Sequence, residues 1–104
     1  MRRGEIWWAR LPLPAGRRPV VLVSRDAAYT IRLAITVAEV STVVRMIQTE
    51  VALSKREGMP RPCVINADNL STIPKGLLES KIVSLSTGKL DELDAALRFA
   101  LALA

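Results

Sequence analysis

Histidine is absent from the 104-residue chain and cysteine occurs once. Without imidazole there can be no Ser-His-Asp triad, no Cys-His pair, no His-rich zinc site and no histidine proton shuttle. The lone Cys63, followed by Val64 and Ile65, cannot close an intramolecular disulfide and reads as a packed strand residue rather than a reactive thiol. Aromatic residues make up only 4% of the chain, so the core is expected to be aliphatic and built on β-branched strands. Long apolar runs are missing as well. The stretch that follows Met1 to Glu5 is broken by Arg10, which argues against a signal peptide or a membrane span and makes a reducing cytoplasm the simplest expected home. The length suits a single domain over residues 1–104, and no repeat, linker or low-complexity tract divides it.

What is present points to a folded, basic protein. Half the residues are hydrophobic and 24% are charged, a balance unlike that of disordered chains. Net charge is +5, and it is unevenly spread: residues 1–61 hold eleven bases against five acids, the remainder four against five. Eleven of the fifteen bases are arginine, whose planar fork suits bidentate phosphate contacts. A polyanionic partner is favoured, with a merely soluble basic surface as the competing reading.

Along the chain, Glu5 to Arg10 and Pro19 to Ser24 read as strands, separated by Leu11-Pro12-Leu13-Pro14-Ala15-Gly16, where prolines and glycine forbid regular structure. Pro19 forces Arg18 into an extended backbone at the mouth of the apolar run Val20-Val21-Leu22-Val23. A helical turn is expected over 27–31, and further strands from Arg32 or Leu33 to Val40, over 49–54, over 63–66 and over 81–85. Asn66, Asp68 and Asn69 bunch before Leu70 to Ile73. From Ser86 the period becomes helical, with a Ser cap, early acids and Leu90, Leu93, Leu97 and Leu101 on one stripe. Phe99 and Leu103 lie off that stripe, so this face serves either one core or a second subunit. Of the two tryptophans, alternation with Ile6 favours Trp8 as the core residue. The whole reads as mainly β with a C-terminal α-helix, a small and strongly bent sheet or barrel.

Four segments in order resemble the MazF/PemK toxin family: Arg-Gly-Glu-Ile-Trp-Trp (3–8), Arg-Arg-Pro-Val-Val-Leu-Val-Ser (17–24), Val-Ala-Glu-Val-Ser-Thr (37–42) and Val-Ile-Asn-Ala-Asp-Asn-Leu-Ser-Thr-Ile (64–73). The resemblance implies an SH3-like, strongly twisted β-barrel of CcdB/PemK type and a homodimer. It further implies a type II toxin that cuts single-stranded RNA, needs no metal or cofactor, and is blocked by a cognate antitoxin through an acidic C-terminal peptide. The implied chemistry is attack of a ribose 2′-hydroxyl on the adjacent phosphate, giving a 2′,3′-cyclic phosphate and a 5′-hydroxyl. Arg18 matches the family's catalytic arginine, and Ser41 falls at its catalytic threonine with Thr42 adjacent. Arg17, Arg25, Asn66 and Asp68 are the candidate RNA-binding residues, Asp68 aligning with an acid some members use. The plainer alternatives are a strand end whose Ser41 and Thr42 hydroxyls bond local backbone, and an Asx-type turn after Asn66.

The chain also departs from the family pattern. The loop at 11–16 is short and carries no acid, position 10 is arginine, and Asn66 stands where some members have a second arginine. A gyrase-poisoning toxin of the same fold would rely on C-terminal aromatic residues, whereas this chain ends Ala-Leu-Ala-Leu-Ala. A non-catalytic nucleic-acid-binding barrel would need only the basic first half. Because the sequence holds no histidine and no cysteine cluster, RNA cleavage by the purified protein is expected to persist in excess EDTA. Loss of cleavage on chelation, read on a gel, would contradict the implied mechanism.

Overall fold

The computed structural model describes residues 1–104, which form a curled six-stranded antiparallel sheet closed on one side by a helix. In chain order the elements are β1 (Glu5–Arg10), β2 (Arg17–Leu22), a short α1 (Ala28–Ile31), β3 (Ala34–Ser41), β4 (Glu50–Leu53), β5 (Cys63–Pro74), β6 (Leu78–Ser84) and α2 (Thr87–Ala100). The strands lie in the order β4-β5-β3-β2-β1-β6. The two ends of the sheet are not hydrogen-bonded to each other, so the molecule is a half-barrel rather than a closed one.

Alternation along the central strands explains the apolar run in β2. Val21 belongs to one core with Ile6, Ala38, Val40, Ile65, Leu93 and Leu97, while Val20 and Leu22 belong to a second core with Ala9, Ile35, Val37, Tyr29 and Ile73. A strand buried on both faces has no polar side to alternate with. The first core is capped by α2 and the second by α1 and Leu11. Cys63 lies buried in the first core, as its sequence context anticipates.

The strand expected over 63–66 runs on to Pro74. β5 pairs Asn66 with Glu39 and then Leu70 with Ala38, so Ala67, Asp68 and Asn69 bulge out without partners on β3. The bulge forms because the Asn66 side chain accepts a hydrogen bond from the Asp68 N–H at 2.9 Å, a local Asx turn inside a strand. The turn after β4 is fixed by a capping box, in which Ser54 Oγ accepts from Arg56 N at 3.2 Å and Glu57 accepts from Ser54 N at 2.6 Å. It ends at Gly58, whose φ of +95° strains any other residue and where a Cβ would press to 3.3 Å from Val83 on β6. That contact brings the β4 end of the sheet over the β6 end.

Ser86 caps α2 by accepting from Lys89 N at 3.2 Å, and the buried stripe is Leu93, Ala96 and Leu97. Phe99, Leu101 and Leu103 are exposed in the single chain. Leu93 is fully buried between the helix and the sheet. Leu93→Ala is therefore expected to lower stability by about 2–5 kcal/mol. Removal of the cap in Ser86→Ala should cost only about 1 kcal/mol, both read from urea unfolding midpoints.

Candidate active site

Arg18 is held by the loop that precedes it. Its Nε and Nη2 donate to the Ala15 carbonyl at 3.3 and 3.2 Å, and its Nη1 donates to Glu39 Oε1 at 3.0 Å. The loop can offer that carbonyl because it folds back on itself through a hydrogen bond from Leu11 N to Gly16 O at 3.0 Å. A guanidinium has five N–H groups. These contacts use three and leave one on each terminal nitrogen, and the side chain is 36% exposed. Arg18 thus keeps two uncommitted donors on a fixed, partly exposed mount.

Strand register sets what lies beside it. β2 pairs with β3 through Val20 opposite Glu39, Val21 opposite Ala38 and Leu22 opposite Val37. The pairs end at Val20 and Glu39, and Arg18 on β2 and Ser41 on β3 each lie two residues beyond that last pair, at the same end of the two strands. Asn66 lies opposite Glu39 on the other side of β3. Arg18, Glu39 and Asn66 therefore come from three successive strands. Ser41 Oγ accepts a hydrogen bond from Val43 N at 3.0 Å, so the local backbone bond expected of a strand end is present. The bond uses the oxygen and leaves the hydroxyl proton available. Thr42 is exposed.

Beside this row is a cleft of about 380 Å³, walled by Trp8, Pro19, Met59 and Arg61 and reaching Ser41 and Thr42. Trp8 is not the core tryptophan that alternation suggests. It forms the wall of this cleft, where the Arg17 guanidinium stacks 4.2 Å from its ring centroid. Trp7 instead packs against the second core and donates from its indole to Glu5 at 2.9 Å. Burial works against the charged form of Glu5, but this bond, a backbone hydrogen bond from Arg2 and the charge of Lys81 together outweigh it and leave the carboxyl below the usual range. Cys63 lines the floor of the cleft, where burial pushes its thiol up and makes it a poor nucleophile.

Arg17 is oriented a second time by Glu79 on β6. Arg17 Nε donates to Glu79 Oε1 at 2.8 Å, and Arg10 Nε donates to Oε2 at 3.0 Å. Arg10, an oddity in the sequence, completes that clamp. Asp68 is exposed on the bulge, its backbone tied to Asn66. Arg25 does not join the group. It lies beyond the opposite end of β2 in a separate cleft of about 600 Å³ with Arg3, Asp94 and Arg98, because the residues after Leu22 carry the chain away from Arg18 along the strand direction. Glu39 is a site residue that sequence reading did not single out. The available signal was a lone acid within the apolar strand Ala34–Ser41.

The sequence profile of the PemK-like, MazF-like toxins of type II toxin–antitoxin systems matches residues 2–101. The chain belongs to the MazF/PemK toxin family. It is 35% identical over 99 residues to a Mycobacterium tuberculosis protein named probable endoribonuclease MazF2, covering 94% of this chain and 95% of that one. Its fold superposes on the M. tuberculosis toxin MazF-mt6 with a TM-score of 0.88 at 31% identity, over 96% and 98% of the two chains. A mycobacterial endoribonuclease solved with its cognate antitoxin superposes equally well, with a TM-score of 0.88 at 26% identity over 100% and 97%. This MazF-like chain thus carries the toxin fold from end to end. Within it, the hydrogen bond from Arg17, aided by Arg10, holds the Glu79 carboxyl below the usual carboxylate range. In Arg17→Ala that carboxyl is expected to titrate at a higher pH than in the wild type, as followed by its NMR chemical shift.

Proposed function

We propose that this MazF-like toxin is a metal-independent endoribonuclease that cuts single-stranded RNA at the row formed by Arg18 and Ser41. The observation that carries the reading is the mount of Arg18, a guanidinium fixed by a carbonyl on one edge and a carboxylate on another, with two N–H donors left uncommitted. Such donors meet the non-bridging oxygens of a phosphate as charge builds in the transition state, without reorganising. The Ser41 hydroxyl, with Thr42 as its neighbour, holds a further phosphate oxygen. The ribose 2′-oxygen attacks phosphorus and the 5′-oxygen leaves, giving a 2′,3′-cyclic phosphate and a 5′-hydroxyl.

The cleft beside the row takes a base. Trp8, with Arg17 against its ring, offers an aromatic face of the kind on which unstacked bases lie. Asn66 and Asp68 stand on the far side of β3 as contacts to the neighbouring nucleotide. Arg25 is left out of this footprint by its position in the other cleft. The protein acts in the cytoplasm as a homodimer, for which exposed Phe99, Leu101 and Leu103 supply apolar surface. A cognate antitoxin blocks it with an acidic peptide. The basic first half and the antitoxin bound to a related mycobacterial endoribonuclease support that reading.

The competing possibility, a barrel that binds RNA and leaves it whole, is separated by cleavage of a long transcript. Arg18→Ala should reduce cleavage by about 10²- to 10³-fold while RNA binding weakens only a few-fold. Ser41→Ala and Thr42→Ala, assayed together, tell which hydroxyl serves. Failure of the pure wild-type protein to cut any RNA would refute the enzymatic reading.

A further inference from the structure

Chemistry at a 2′-hydroxyl needs somewhere for its proton to go, and this chain has no histidine and no acid in the loop before β2. The acids in the structure are mostly occupied. Glu79 gives one oxygen to Arg10 and the other to Arg17, and Glu5 is tied to Trp7 and Lys81. Glu50 accepts two backbone N–H groups on Oε1 and has its Oε2 buried, and Glu57 closes a capping box. Asp68 stands exposed on the β5 bulge and takes no part in the hydrogen bonds of the Arg18 guanidinium. Glu39 differs. Its Oε1 accepts from Arg18 at 3.0 Å, while its Oε2 makes no hydrogen bond and is not fully buried. Its side chain is 15% exposed, held on β3 between Val20 of β2 and Asn66 of β5, two residues from Ser41 on the same face.

On the basis of the ribonuclease reading above, we propose that Glu39 is the general base of the cleavage reaction, through Oε2. Oε1 stays on Arg18, which keeps the carboxylate beside the phosphate that Arg18 neutralises. Oε2 takes the proton from the 2′-hydroxyl as the bond from the 2′-oxygen to phosphorus forms. The bond from phosphorus to the 5′-oxygen breaks, and that oxygen takes a proton from water. Glu39 then returns its proton to the hydroxide so formed, and the balance closes without a metal or a redox partner. The same ion pair that aims the arginine thereby places the base, and an acid in the preceding loop becomes unnecessary.

The test is cleavage of a short single-stranded RNA, chosen from sites the wild-type protein cuts, followed across pH for wild type, Glu39→Gln and Glu39→Asp. Circular dichroism on each variant checks folding. A base predicts an acid limb in the wild-type kcat profile. In Glu39→Gln, which can still accept from Arg18, kcat should fall by about 10²- to 10⁴-fold with the limb lost and KM within a few-fold. Glu39→Asp should keep the limb at a reduced rate. A wild-type profile with no acid limb overturns the proposal without any variant. So does a Gln variant that cuts at the wild-type rate, and so does one that is slow yet keeps the limb, since that makes Glu39 only a mount for Arg18. In each of these cases the ribonuclease reading stands, whereas a wild-type protein that cuts no RNA removes both.

Discussion

The antiparallel pairing of β2 with β3, buried on both faces, is the constraint on which the site depends. Val20, Val21 and Leu22 anchor β2 in two cores at once, so the strand can neither slide nor rotate without exposing one of them. A slip of one residue would send Arg18 to the opposite face and turn its guanidinium away from Glu39. The hydrophobic packing of the sheet therefore fixes the position of a charge lying two residues outside it, and Pro19 transmits that rigidity by restricting the backbone at Arg18.

Much of this was legible in the residues. The bounds of β1 coincide with the sequence reading, and the helix over Thr87–Ala100 follows from its Ser cap and leucine spacing. The extended backbone at Arg18 follows from the proline after it. Three things were hidden for identifiable reasons. The strand expected over 63–66 stops short because a cluster of Asn and Asp signals a turn, and only the pairing with β3 reveals that the turn is an insertion within a strand that continues to Pro74. Trp8 alternates with buried Ile6, but it sits where the first core opens into a cleft, and period alone cannot say where a core ends. Arg25 follows β2 at the end away from Arg18, a distinction that charge counting does not make. The placing of Arg18, Ser41 and Asn66 on neighbouring strands needed the register as well as the motifs.

The arginines of the site are also less free than the net charge of +5 implies. Arg17 and Arg10 share Glu79, and Arg18 is bound to Glu39. These partners reduce the long-range field but set the direction of each guanidinium, and a fixed direction matters more than raw attraction when charge must be met at one phosphate.

An open half-barrel leaves two strand edges with unpaired backbone groups, the usual template for runaway strand addition between copies. Here β4 is only four residues long, and β6 carries Glu79, Ser80 and Lys81 along its course. Shortness at one border and charge at the other make each a poor template for strand addition between copies.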